Sequence, residues 1–243
     1  IYGLPKQTTD SIKNTIDRVK ELMPDRIAFY SYAHVPWKSK GQRRYSDEDV
    51  PKAKEKLAMY NIGRDKLMSL GFVSIGMDHF ALPTDKLMIA YSNGEMHRNF
   101  MGYTTTNHKL VVGLGTSSIS DTWTAFAQNE KTVEEYQQKI EAGEWPIING
   151  HLLSKKDTVI RKYILELMCK DHVMIDPVDF STEQYNFAMN KLKAYAQDGL
   201  IELSENKIVV TPKGKLFIRN ISSSLDEYLF NNQTTGNMFS KAI

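Results

Sequence analysis

The sequence predicts an α/β protein: a barrel-like or doubly wound sheet segment, then a mainly helical, winged-helix-like domain. Three observations carry this. Apolar strand-like runs alternate with amphipathic helices through the first half of the 243 residues. The second half reads helix, helix, hairpin, helix. Between the halves, EAGEWPIINGH reads as a connection.

The chain begins IYGLPKQT, an apolar strand end running into a Gly-Leu-Pro turn with no initiator methionine, which reads as a piece of something longer. In TTDSIKNTIDRVKELM, Thr8, Thr9 and Asp10 are good helix-capping types, and Ile12, Ile16, Val19 and Leu22 fall on one helical face. Pro24 ends that helix, and RIAFYSYAHVP continues as a strand. Strand, helix, strand is a βαβ unit, which requires a parallel pair and a right-handed crossover. From Pro51 a second helix runs through KAKEKLAMYNIGRDKLMSLG to Gly71, and FVSIGMDHFALP reads as a strand entering a polar loop. A short helix over 85–94, a polar loop HRNFMGYTT over 97–105 and a third strand in LVVGLGTSSIS complete this part. Ligands in such sheets sit at the carboxyl ends of strands, which selects 3–7, 32–36, 76–80 and 115–120 as loops lining one site.

Beyond that, SKKDTVIRKYILELMCK carries a Ser-x-x-Asp capping pattern and STEQYNFAMNKLKAYAQDG forms a second helix. LIELS and KIVVT flank Glu205-Asn206 as a hairpin, and PKGKLFIRNISSSLDEYLF is a last helix with Pro at its start. The expected division is therefore 1–125, a connecting segment 126–153, and 154–243.

Hydrophobic residues at 41% and charged residues at 25% suit a globular protein, and no run approaches the roughly 18 apolar residues of a membrane span. A cytoplasmic protein is expected. Net charge is +2 with both signs interspersed, which disfavours a polybasic membrane anchor or an electrostatic nucleic-acid binder. A winged-helix nucleic-acid module is the alternative from another class, but its would-be recognition helix is not notably basic. The sequence holds no phosphate-loop, nucleophile-elbow or zinc-helix motif. Cys169, the single cysteine, sits at an apolar helical position and reads as a structural thiol. Asp78 and His79 are the best-placed titratable pair; a metal site from Asp78, His79, His97 and His108 is disfavoured because no pair has helix-face spacing.

IYGLPKQT, GMDHFALP, MHRNFMGYTT, GLGTSSIS and VTPKGKLFIRNI together, in this order, resemble the C-terminal half to two-thirds of the oxygen-independent coproporphyrinogen III oxidase family, within the radical S-adenosylmethionine superfamily. Met96 stands where the family usually has Leu. The resemblance implies the C-terminal part of a radical-SAM (β/α) barrel over 1–125 and the family's helical domain over 154–243. It implies oxidative decarboxylation of two propionates of coproporphyrinogen III, giving protoporphyrinogen IX in haem biosynthesis. The cofactors implied are S-adenosylmethionine and a 4Fe-4S cluster, which generate a 5′-deoxyadenosyl radical. The family's C-x-x-x-C-x-x-C motif is absent, and one cysteine cannot hold a cluster, so its ligands are expected upstream and the chain alone is expected to be inactive.

Residue by residue, the resemblance maps adenosylmethionine contacts onto Ala33, Ile119, Phe100 and Met101; many relatives have Gln in place of Met101. The substrate's four propionates call for charge-assisted donors, which makes His79, His97 and Arg98 candidates, with Tyr103 as a neutral donor. No catalytic residue and no electron donor is assigned. A haem chaperone of the same family is the runner-up. An incomplete barrel leaves a sheet edge unpaired, which favours self-association. Sedimentation velocity of the chain is expected to show dimers or larger species; a strictly monomeric profile would remove that expectation.

Overall fold

The computed structural model describes residues 1–231. Helix α1 (Thr9–Leu22) starts where Thr8 and Ser11 cap each other reciprocally and ends at Met23, whose left-handed backbone leads into Pro24. Strand β1 (Arg26–Ala28) follows, then a 3-10 turn (Lys40–Arg44) and helix α2 (Ala53–Ser69). The parallel βαβ contact exists as a single bridge: the Tyr2 amide donates to the Tyr30 carbonyl at 2.9 Å, and Tyr32 returns to the Tyr2 carbonyl at 2.7 Å. The long strand expected through RIAFYSYAHVP is thus reduced to β1 plus this bridge.

Further expectations are corrected. FVSIGMDHFALP forms two strands, β2 (Val73–Gly76) and β3 (His79–Ala81), joined by a tight turn, and β3 inserts antiparallel between β1 and β2. Gly76 at φ +142° and Met77 at φ +45° reverse the chain there, a geometry that strand alternation conceals. After α3 (Lys86–Ser92), HRNFMGYTT is not a loop. It is the hairpin of β4 (His97–Asn99) and β5 (Gly102–Thr104), and Asn99 Oδ1 accepts from the amides of Met101 and Gly102 across its turn.

The third expected strand survives only at its end, as β6 (Ile119–Asp121), with one isolated bridge from Val111 to Asp121. Within 109–118, Gly113 and Gly115 satisfy their backbone through side chains instead. Asn129 Nδ2 donates to the Gly113 and Gly115 carbonyls, and Ser120 and Tyr136 accept from their amides. A Cβ on Gly113 would lie 2.9 Å from the Ile119 backbone, so this close approach requires glycine. The segment expected to be a mere connection holds β7 (Ala125–Asn129), α4 (Val133–Glu141) and β8 (Ile147–Leu152), making a sheet in the order β6-β7-β8.

Helix α5 (Lys155–Lys170) begins with the expected Ser154–Asp157 capping box. A strand missed in sequence, β9 (His172–Met174), precedes α6 (Thr182–Gln197) and pairs with the hairpin β10 (Ile201–Ser204) and β11 (Lys207–Val210). The last helix is broken into a 3-10 turn (Gly214–Phe217), α7 (Ile218–Ser223) and α8 (Glu227–Asn231). Residues 232–243 of the expected C-terminal division lie outside the described residues. Among the described residues, no helix is long and apolar enough to cross a membrane.

Three cores result. Ile12, Ile16, Leu67 and Phe80 are buried among α1, α2 and the first sheet; Leu167, Ile175, Leu192, Ile208 and Ile221 are buried in the C-terminal part. The third core, with Ile75, Leu87, Met96, Tyr103 and Cys169, lies between them. Each fully buried Leu or Ile contributes roughly 1.5–3 kcal/mol. Two polar contacts lock these parts to α5. Arg161 binds Asp121 with two nitrogens, at 2.5 and 3.0 Å, and also donates to the Trp123 carbonyl, so the β6-β7-β8 sheet is fixed to the helix. At the other end, Asp171 caps α5 in a left-handed conformation and is bound by Tyr91 of α3 and by Lys215, 2.9 Å away. Lys215→Met would strand a half-buried carboxylate. It is expected to cost about 2 kcal/mol, between the surface and fully buried limits, read as a lower urea midpoint. An unchanged midpoint would show that the junction does not contribute.

Candidate functional site

The turn after β2 and the hairpin β4–β5 bring three of the four basic and phenolic candidates together. His79 Nδ1 lies 2.9 Å from Asp78 Oδ1, which fixes the ring and leaves Nε2 for another partner. The His79 ring stands edge-on between Tyr30 and Tyr103, with centroids 6.0 and 5.4 Å away. Arg98 lies over the opposite end of this row, its guanidinium carbon 4.8 Å from the Tyr103 ring centre. Register explains the last contact, since Arg98 and Tyr103 are directly opposite in the hairpin. Among the described residues Arg98 has no carboxylate partner within ion-pair distance.

Tyr103 is only 8% exposed, and its hydroxyl donates to the Met168 carbonyl at 3.1 Å. A phenol has one O–H to give, so the neutral-donor role expected of Tyr103 is already spent on α5. Burial pushes its pKa well above the ordinary tyrosine value, with Arg98 acting in the opposite sense. Tyr103 therefore forms the floor of the row.

His97 is separated from this group. It neighbours Arg98 in one strand and so faces the other side of the hairpin, opposite Thr104. There it lines a cleft of about 360 Å³ between the hairpin and α5, with His108, Lys109, Trp123, Lys162 and Lys170. Burial, then the charge of Lys170, lowers its pKa from the usual histidine value, while Glu95 opposes them. Cys169 at the base of the cleft is buried and its pKa is pushed up to about 12, mainly by desolvation, consistent with a packing thiol and not a nucleophile.

The expected adenosylmethionine residues are spread over three elements. Phe100 and Met101 form the exposed tip of the hairpin, Met101 being 71% exposed. Ala33 follows the Tyr2–Ser31 bridge, its carbonyl accepting from Gln42 Nε2 at 3.2 Å. Ile119 opens β6 opposite Gln128. All four offer apolar surface or main chain; none supplies a charge. For a 4Fe-4S cluster the residues do not fit: the chain has one cysteine, and no group of three or more potential metal ligands occurs among the described residues. That includes Asp78, His79, His97 and His108.

Local sequence carries no sign of Asp121–Arg161, and reading HRNFMGYTT as a loop hid the division of the hairpin into two chemically different faces. The signal for the latter was present in Asn99 and Gly102, which flank a two-residue turn between H-R-N and G-Y-T.

No protein-family model matches the chain. It is 38% identical over 234 residues to the oxygen-independent coproporphyrinogen III oxidase of Salmonella typhimurium, covering 94% of this chain and 51% of that protein. The enzyme of the same name from Thermostichus vulcanus is 38% identical over 252 residues, covering 100% of this chain and 76% of that protein. Among solved structures, coproporphyrinogen III oxidase from Escherichia coli, described as a radical SAM enzyme, superposes with a TM-score of 0.85 at 39% identity, covering 94% of this chain and 54% of that one. The chain thus spans about half the length of the Salmonella relative.

The geometry of the row depends on Gly76, where an added Cβ would lie 2.7 Å from the Tyr103 hydroxyl. Gly76→Ala is expected to destabilise by about 2–4 kcal/mol through strain and overpacking. Combined with Tyr103→Leu, which removes the obstructing atoms, it should cost less than the sum of the two single changes. Strict additivity in a denaturation series would show that the two residues do not compete for space.

Proposed function

Because the chain belongs to the oxygen-independent coproporphyrinogen III oxidase family, we propose that it carries the substrate-side part of an enzyme converting coproporphyrinogen III to protoporphyrinogen IX. In this reading 1–125 is the C-terminal part of a radical-SAM barrel, 126–153 connects, and 154–243 is a winged-helix-like domain that braces it. The work is placed in the cytoplasm.

The observation that carries the reading is the row Asp78, His79, Tyr103, Arg98. It offers two basic groups on one flank of a hairpin whose tip is apolar, as a macrocycle with propionate arms requires. Asp78 holds the His79 ring through Nδ1, with Nε2 beside Gly102 of the hairpin, and Arg98 meets a carboxylate with a planar fork. Tyr103 keeps both at a fixed spacing by anchoring the hairpin to α5. Phe100 and Met101 supply apolar contact for adenosylmethionine, with main chain from Ala33 and Ile119. When bound, adenosylmethionine and a 4Fe-4S cluster supply the oxidising chemistry. Because this chain lacks the thiolates, the cluster must be held by other parts of the enzyme, and the chain alone is inactive.

Fluorescence titration with coproporphyrin III, the air-stable form of the macrocycle, tests the binding half of this reading. His79→Ala and Arg98→Ala are each expected to weaken binding about tenfold by loss of one charge-assisted contact. Unchanged affinity in both would remove the row from the site. The reaction itself is tested by anaerobic turnover of the protein made from its complete gene, reconstituted with iron and sulfide and given adenosylmethionine and a reductant. Protoporphyrinogen IX is the expected product; tight haem binding without it would favour the chaperone reading.

A further inference from the structure

The cleft on the α5 side of the hairpin holds more basic groups than its own acids can neutralise. Its two lining carboxylates are both taken. Asp121 is bound by Arg161, and Glu166 is paired with Lys170 at 3.0 Å. Arg98, Lys109, Lys162, His97 and His108 line the same cleft, and the side chains of the last four have no hydrogen-bond or ion-pair partner among the described residues. This excess is local, because the whole chain carries a net charge of only +2. Buried Met96 and Cys169, with half-buried Trp123 and Leu165, give the cleft an apolar base, while the two lysines stand exposed at its rim.

Clustering unpaired cations in a concave site raises its affinity for anions, because low-dielectric walls focus the field there. A volume of about 360 Å³ is at the lower end for small-molecule sites, room for a short acidic arm or a small free acid but not for a macrocycle. We propose that this cleft is a carboxylate-binding site, with Lys109 and Lys162 as the charged grip and His97 and His108 as further donors.

Two sources share this chemistry. One, which rests on the function proposed above, is a propionate of the same tetrapyrrole. Arg98 lines the cleft as well as covering Tyr103, so a polyacid lying across the tip at Phe100 and Met101 would pass one arm by His79 and another by Arg98 into the cleft. The other source is a free dicarboxylic acid unrelated to that reading.

Calorimetric titration of the full chain with succinate, and fluorescence titration with coproporphyrin III, separate the two. The variants are Lys109→Gln/Lys162→Gln and, as a control with the same charge loss at exposed positions elsewhere, Lys193→Gln/Lys207→Gln. Both pairs are exposed, so folding should be retained and is checked by thermal melting. The expected result is succinate binding that weakens on the order of tenfold in the cleft variant but not in the control, and that weakens with salt. Competition between succinate and coproporphyrin III would identify the occupant as a propionate arm. Succinate binding with no porphyrin binding would support the cleft as a site for a small acid while removing the tetrapyrrole reading. No succinate binding by the parent chain, or equal binding by parent and cleft variant, would overturn the proposal.

Discussion

The carboxylate of Asp171 is the point on which the halves of this molecule depend. It sits at the end of α5 in a left-handed conformation, φ 61°, and is bound by a phenol from α3 and an ammonium from the turn before α7. Those partners lie 80 and 44 residues away in the chain. Residues brought together over such distances gain nothing from local propensity, so the contact depends on the tertiary packing on either side. Once formed, a partly buried ion pair with a shared hydroxyl leaves little freedom in how the parts meet. Burial alone would lower the pKa of Lys215; the hydrogen bonds to Tyr91 and Asp171 outweigh it, and the net shift is upward.

Helix α5 converts that fixed junction into a site. Its Met168 carbonyl accepts from Tyr103, its Arg161 holds Asp121, and its Lys162, Glu166 and Lys170 form one wall of the cleft. A single rigid helix therefore supports both faces of the β4–β5 hairpin. The hairpin sets Tyr103 against His79 of β3 on one side and His97 on the other, while Arg98 covers Tyr103 and also lines the cleft. Chemistry is divided between the two by strand alternation, the simplest consequence of an extended backbone. The tip at Phe100 and Met101 projects beyond both.

The family relationship and the site geometry support one another at different levels. Identity of 38% over 252 residues shows that the chain belongs to the family. It does not say which side chains face a ligand, and the geometry speaks to that. The chain's single cysteine cannot by itself supply the thiolates that a 4Fe-4S cluster needs.

Much of the helical structure was legible because helices announce themselves locally. Thr8 with Ser11, Ser154 with Asp157, and the spacing of Ile12 and Ile16 are signals within a few residues of one another. The strands were less legible. Met77 at a positive φ, Asn99 reaching two amides across its turn, and Gly113 pressed against Ile119 all depend on backbone reversals whose partners lie elsewhere in the fold. The sequence by itself determined the positions of α1, α2, α3, α5 and α6, the α/β character, the family, and the lack of enough thiolates for a cluster. Only the tertiary structure decided that His79, Tyr103 and Arg98 form a row, that Tyr103 spends its hydroxyl on α5, and that His97 belongs to a separate basic cleft. Those facts rest on strand register and on contacts between distant segments, and neither is written in local periodicity.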